Sequence, residues 1–151
     1  MKSFIKGFNY AFKGIIRVIK EERNMRVHIA FALNVLIFAP FLKVTRVEYA
    51  LLLLTIALVL SLETVNSAIE NLSDKITKEK DELIKRTKDM AAGAVLIAAI
   101  FAVGIGITIL CKPNELSLLF TSIFTNPLYV IGLLIFEAAL LLFVVLHSKR
   151  K

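Results

Sequence analysis

The chain has 151 residues, of which 58% are hydrophobic, with a mean hydropathy of +0.77 and a formal net charge of +7. That apolar content excludes an ordinary soluble domain and belongs in a bilayer, as one unit too short for two membrane modules. The basic excess does not point to nucleic acid, because no basic run is interleaved with stacking aromatics and the charges flank apolar segments as topology signals and anionic-lipid contacts; the single Cys111 excludes an internal disulfide, and without a Cys/His cluster there is no zinc site.

Residues 1–6 lack the short apolar core and small-residue cleavage site of a signal peptide, so the N-terminus is expected to be retained. Residues 3–23 read as a surface helix. With Phe8 as origin, Phe4, Ile5, Phe12, Ile15 and Ile19 fall within about 60° on a helical wheel, with Lys2, Lys6, Lys13, Arg17 and Lys20 opposite. A helix lying on the membrane explains this pattern except for Glu22. If the helix continues, that carboxylate falls near the apolar face, where it is costly unless it turns into a polar site or ligates a cation. Glu22 belongs to the group EERNMRVH, with Arg23, Asn24, Arg26 and His28, at the start of the first span.

The first span covers residues 25–42, with Pro40 ending or bending it near the far interface. The second covers residues 48–71, and each approaches the ~20 residues a span needs. At the tail of the second, Glu63, Asn66, Glu70 and Asp74 stand at offsets 0, 3, 7 and 11, which places them within an arc of roughly 80° on a helix. Ionisable groups at that depth are expensive and usually face a bundle interior or a water-filled site. Residues 72–89 hold six basic and five acidic side chains. A solvated helical turn laced with i,i+4 pairs accounts for them; the functional alternative gives Lys88 and its neighbours an anionic ligand, and Glu79 or Asp81 a donor-rich one.

Residues 90–110 make the third span, where Ala94, Ala98, Ala102 and Gly106 recur every fourth position as a small-residue face suited to close packing, at a subunit axis for example. The run LSLLFTSIFT is too short to cross and is placed at the interface. Residues 127–146 make a fourth span, opened by Asn126 and Pro127 as cap and first-turn residue. Charge orients the bundle: seven Lys and Arg lead up to and into the first span, six lie between the second and third, and three in the tail, against two in the first hairpin and one in the last. Sixteen against three puts both termini and the central loop in the cytoplasm.

Glu22 with Asn24, the stripe, and the pair Lys88 and Asp89 then converge at one face of the bilayer. Two carboxylates from different helices can hold a divalent cation that in turn holds a nucleotide's phosphates, and a third can deprotonate an alcohol. This suits phosphoryl transfer to a lipid hydroxyl at the interface. There is no GxxxxGK[ST] loop and no glycine-rich kinase loop, since Gly104 and Gly106 lie inside a span, so a kinase here is of an unrelated kind.

In their order and spacing, the runs EERNMRVH, ETVNSAIENLSD and KRTKDMAAGAVL resemble the prokaryotic diacylglycerol kinase and undecaprenol kinase family of small integral membrane lipid kinases, over roughly the first 110 residues. The resemblance implies an all-α integral membrane fold, an N-terminal amphipathic surface helix and a three-helix core, to which this chain adds a fourth transmembrane helix. Residues 1–111 then form the lipid kinase membrane domain and residues 112–151 a C-terminal extension. It also implies a homotrimer in the bacterial plasma membrane with active sites shared between subunits, using ATP as cosubstrate and Mg2+ as cofactor.

Carried over by position, Glu63 matches the family's catalytic base and Asn66 the asparagine that orients the base or a phosphate oxygen. Glu22 and Glu70 match its metal-binding acids, and Lys88 with Asp89 its nucleotide-binding Lys-Asp pair. Tyr10 falls on a tyrosine near the nucleotide site, and Glu79, Lys80 and Asp81 on the segment that contacts the nucleoside. The chain departs from the pattern at Asp81, where many relatives carry histidine, at Thr87 in place of alanine, and at Ser3, where some members carry an arginine whose charge Lys2 or Lys6 would supply. Asp74 is assigned to capping or loop ordering. The run RNMRVH resembles the forms of Gram-positive bacteria, whose expected substrate is undecaprenol, with diacylglycerol the alternative. From the residues alone, two other classes stand beside the kinase. One is a small proton-coupled exporter using Glu63 or Glu137, which would favour an isolated acid near the midplane; the other is a structural membrane partner, for which the stripe would be gratuitous. Glu137 is otherwise a hydrogen-bonded or neutral acid at a helix interface, His28 an interfacial histidine with its hydrogen bonds met, and Asn34 an interhelical hydrogen bonder.

Overall fold

The computed structural model describes residues 2–76 and 81–146. These form six α-helices and one 3-10 turn: α1 Lys2–Glu21, α2 Arg23–Phe38, the 3-10 turn Ala39–Leu42, α3 Arg46–Ile76, α4 Glu82–Leu110, α5 Pro113–Thr125 and α6 Pro127–Leu146. Four segments are long and apolar enough to cross a membrane: α2 with its 3-10 turn, α3, α4 and α6. Most large apolar side chains on α3, α4 and α6 are exposed, as a protein solvated by lipid requires.

The surface helix stops two residues before the expected residue 23. Glu22 is extended, with φ −101° and ψ 121°, although its N–H still donates to the Val18 carbonyl at 2.8 Å. The cause is Arg26. Its Nη1 donates to the carbonyl oxygens of Ile19 and Lys20, both at 3.0 Å, and a continuing helix would need those two acceptors for the N–H groups of Arg23 and Asn24. Capped in this way, α1 ends and the chain turns into α2. The apolar face of α1, with Phe4, Ile5, Phe8 and Phe12, is uncovered by the rest of the molecule.

Pro40 acts as expected. It has no N–H for a helical bond, the backbone tightens into the 3-10 turn, and Lys43 closes it in the left-handed region at φ 48°, its N–H on the Pro40 carbonyl at 3.3 Å. The second and third spans extend well past their apolar runs, α3 to Ile76 and α4 back to Glu82. Most of the charged stretch expected as a loop is therefore helix, because leaving the bilayer does not oblige a helix of Lys, Glu and Arg to end. Asp81 starts α4, its Oδ1 accepting from the N–H groups of Leu83 and Ile84 at 2.8 and 3.1 Å. α5 is a short helix of 13 residues, and Asn126 caps α6 by accepting from the Leu128 N–H at 3.0 Å.

The antiparallel pair α3–α4 is the main interface; α2 packs on α3, and α6 packs on α2. A small apolar core of Ala39, Leu52 and Ile109 closes the end remote from α1. There Lys112 pairs with Glu48 at 3.2 Å and Lys43 with Glu115 at 3.0 Å, tying α5 to the turns between helices. Of the small-residue face on α4, Ala98 is buried, Ala102 and Gly106 line a groove, and Ala94 is exposed. That groove, of about 480 Å³, runs between α2, α3 and α4 from His28 to Cys111, and its walls are almost wholly aliphatic or aromatic.

Candidate functional site

One face of α3 changes character along its length. Leu52 and Val59 are its buried apolar positions, and Glu63, Asn66 and Ser67 continue the same buried face as polar ones. The spacing that made the stripe visible in the sequence therefore turns its deeper half inward: Glu63 is 2% exposed and Asn66 buried, whereas Glu70 is half-buried and Asp74 exposed. The helix supplies part of the order. Ser67 Oγ donates to the Glu63 carbonyl at 3.0 Å, and Asn71 Nδ2 to the Ser67 carbonyl at 2.9 Å. Asn66 Nδ2 donates to Glu70 Oε1 at 3.1 Å, fixing the amide and the carboxylate against each other one turn apart. Asn66 Oδ1 is buried and has no hydrogen-bond partner among the described residues.

Glu22, at the elbow between α1 and α2, and Glu70 both lie close enough to interact electrostatically with the Glu63 carboxylate. Lys88, on the facing turn of α4, feels the charge of Glu70 and is bonded to Asp74 Oδ1 at 2.6 Å. The sequence-predicted residues Glu22, Glu63, Asn66, Glu70 and Lys88 thus form one cluster contributed by three segments. Asp74 is a cross-helix partner of Lys88 and ties the end of α3 to the start of α4. Tyr10 and Asp89 are exposed, and Asp81 is engaged as the α4 cap; no hydrogen bond or ion pair joins these three to the cluster among the described residues. Glu79 and Lys80 lie outside the described residues.

Carboxylates gathered from separate segments make a centre that favours a cation. Among the described residues no three His, Cys, Asp or Glu side chains stand together as a ready metal cage. What is present is hard oxygen from separate segments, Glu22 and Glu70, and an unpartnered amide oxygen on Asn66. This fits an ion of the magnesium type, which takes one or two carboxylates and completes its shell with phosphate oxygens and water.

Arg26 belongs to the EERNMRVH group, but no individual role for it could be read from the sequence. Arg26 is 1% exposed and its partners are backbone carbonyls, which carry no sequence signature. Asn34 also differs from expectation: its Nδ2 donates to Ala30 of its own helix at 3.2 Å instead of across helices. It lines a second cleft, of about 250 Å³ between α2 and α6, together with Glu137.

Residues 9–110 match the prokaryotic diacylglycerol kinase family. The chain belongs to that family. It is 38% identical over 109 residues to an undecaprenol kinase of Bacillus subtilis, covering 72% of this chain and 89% of that protein. It is 38% identical over 112 residues to a diacylglycerol kinase of Synechocystis sp., covering 74% of this chain and 64% of the relative. A diacylglycerol kinase of Escherichia coli K12 is 38% identical over 99 residues, or 66% and 81% of the two chains. The protein is therefore a membrane lipid kinase that phosphorylates at the expense of ATP, and not an exporter. All the clustered residues fall within the matched region, which ends at Leu110, before α5 and α6 begin.

Proposed function

We propose that the protein transfers the γ-phosphoryl group of ATP to the hydroxyl of undecaprenol, giving undecaprenyl phosphate and ADP, in the bacterial plasma membrane. The observation that carries this reading is the buried Glu63 next to the Asn66–Glu70 pair and Glu22, at the end of a helix face that is apolar for the rest of its length. Glu63 accepts the proton of the lipid hydroxyl as its oxygen forms a bond to the γ-phosphorus. The bond from that phosphorus to the β,γ-bridging oxygen breaks, and ADP leaves with the electron pair. Asn66 holds Glu70 and offers its free amide oxygen. Glu22 and Glu70 would hold Mg2+, which when bound neutralises phosphate charge that the carboxylates alone would repel. Lys88 counters phosphate charge when a nucleotide competes with Asp74 for its ammonium group, and Asp89, Tyr10, Glu79, Lys80 and Asp81 complete the nucleotide side.

Residues 1–111 form the kinase domain and residues 112–151 a C-terminal extension carrying the fourth span, a division supported by where the family match stops. Both termini and the α3–α4 connection face the cytoplasm, in line with the Lys and Arg distribution, and the protein acts as a homotrimer with sites shared between subunits. Diacylglycerol is the second acceptor to weigh, because relatives bearing either name are equally identical to this chain; the run RNMRVH favours undecaprenol.

The test is transfer from labelled ATP, with magnesium, to undecaprenol or diacylglycerol by the purified protein in mixed micelles. Labelled undecaprenyl phosphate as the faster product supports the assignment. Faster labelling of diacylglycerol replaces the acceptor, and no labelling of either lipid overturns the reading.

A further inference from the structure

The α1–α2 elbow and the C-terminal helix meet on one side chain. Arg26 Nη1 takes two carbonyls of the last turn of α1, those of Ile19 and Lys20, and its Nε donates to the Val144 carbonyl of α6 at 3.4 Å. Its Nη2 is buried without a hydrogen-bond partner among the described residues. A guanidinium that is 1% exposed is an expensive way to fill space, since a well-packed apolar side chain avoids the desolvation cost. What the planar fork supplies is geometry: several carbonyls held at fixed angles from one rigid group. The residue displaced from helical geometry by this capping is Glu22, whose carboxylate is near enough to act electrostatically on Glu63. α6 is seated on α2 beside it, with Leu140 its one buried side chain, in the cleft that Val144 also lines. At the opposite end of the molecule, α5 is held by the Lys43–Glu115 pair, so the C-terminal extension is tied to the rest of the chain at both ends.

We infer that α6 is a brace for the nucleotide side of the site, and that Arg26 is the positioning residue through which it sets the Glu22 carboxylate. This rests on the proposed role of Glu22 in holding the metal–nucleotide. Loosening either α6 or Arg26 then affects binding of ATP with magnesium, not the acceptor and not the proton transfer at Glu63. The two changes also share one route.

The experiment measures KM for ATP, KM for lipid and kcat in the full-length protein for Arg26→Lys, Leu140→Ala and the double variant, with circular dichroism and gel filtration to verify folding. Arg26→Lys keeps the charge but loses the fork, and is expected to raise KM for ATP about tenfold with kcat and lipid KM within about twofold of the parent. Leu140→Ala, which loosens the seat without touching the elbow, is expected to raise it about threefold, and the double variant no further than Arg26→Lys alone. An unchanged KM for ATP in Arg26→Lys, or multiplicative effects in the double variant, overturns the inference. So does a fall in kcat with KM for ATP unmoved, the outcome for a side chain that only holds the fold. Failure of the parent protein to phosphorylate either lipid would instead sink the function reading, and the two failures are thereby told apart.

Discussion

Glu63 and Glu70 sit on one helix face seven residues apart, about 10 Å along the axis at 1.5 Å per residue, a separation that suits the two different roles proposed for them. Glu63→Gln preserves size and burial but cannot accept a proton. It is expected to lower kcat by about 10²- to 10³-fold with KM for ATP little changed, measured as initial rates of lipid phosphorylation; retention of full activity would remove Glu63 as the base. Glu70→Gln removes the charge of the proposed metal-holding group while leaving an oxygen to accept from Asn66, and is expected to raise KM for ATP about tenfold and weaken magnesium dependence, checked by titrating both at saturating lipid. The acids of this site were legible in the sequence because their cost in lipid is conspicuous and their spacing is helical. Arg26 was not, since an arginine near a membrane interface ordinarily serves as a topology signal and its carbonyl partners leave no trace in residue type. Nor was the Lys88–Asp74 bond, which depends on how far α3 and α4 run beyond the bilayer.

At the scale of elements, α4 owes its start to Asp81. Asp81→Ala is expected to cost about 1 kcal/mol of stability by removing the cap, and Asp81→Asn, which caps equally well, to restore it; thermal unfolding in detergent reads both. If Asp81 acts only through the cap, KM for ATP follows the same order, whereas a direct charge contact with the nucleotide would leave Asp81→Asn impaired. The four apolar spans and the surface helix could be anticipated, because length and apolarity decide them, whereas the run LSLLFTSIFT reads only as too short to cross. Helix ends could not be anticipated so well. The apolar run of the third span says where lipid ends at Met90, while α4 begins at Glu82, a distance governed by local capping. The elbow at Glu22 escaped for the opposite reason: nothing in residues 19–23 forbids a helix, and it is broken by a side chain arriving from residue 26.

For the whole molecule, α2 begins and α6 finishes at the same end, joined through Arg26 and Val144, while Cys111 is exposed near the opposite end. In intact spheroplasts, a membrane-impermeant maleimide is expected to label Cys111 from outside. A cysteine installed by Asp81→Cys in a Cys111→Ala background is expected to react only after permeabilisation. The reverse pattern would invert the proposed orientation. A chain ending at Asn126 is expected to insert and to retain residual transfer, with KM for ATP raised, as reconstitution into lipid vesicles would reveal. The 31 residues of α3 measure about 46 Å at 1.5 Å per residue, against a hydrocarbon core of about 30 Å, and the change from Val59 to Glu63 marks a fixed level along that rod. α3 is in this respect a depth gauge. With Glu63 as the proposed base, an acceptor has to float its hydroxyl to the marked level while its tail stays dissolved among other tails, so the rod sets a condition on where the head rides and none on how far the rest extends.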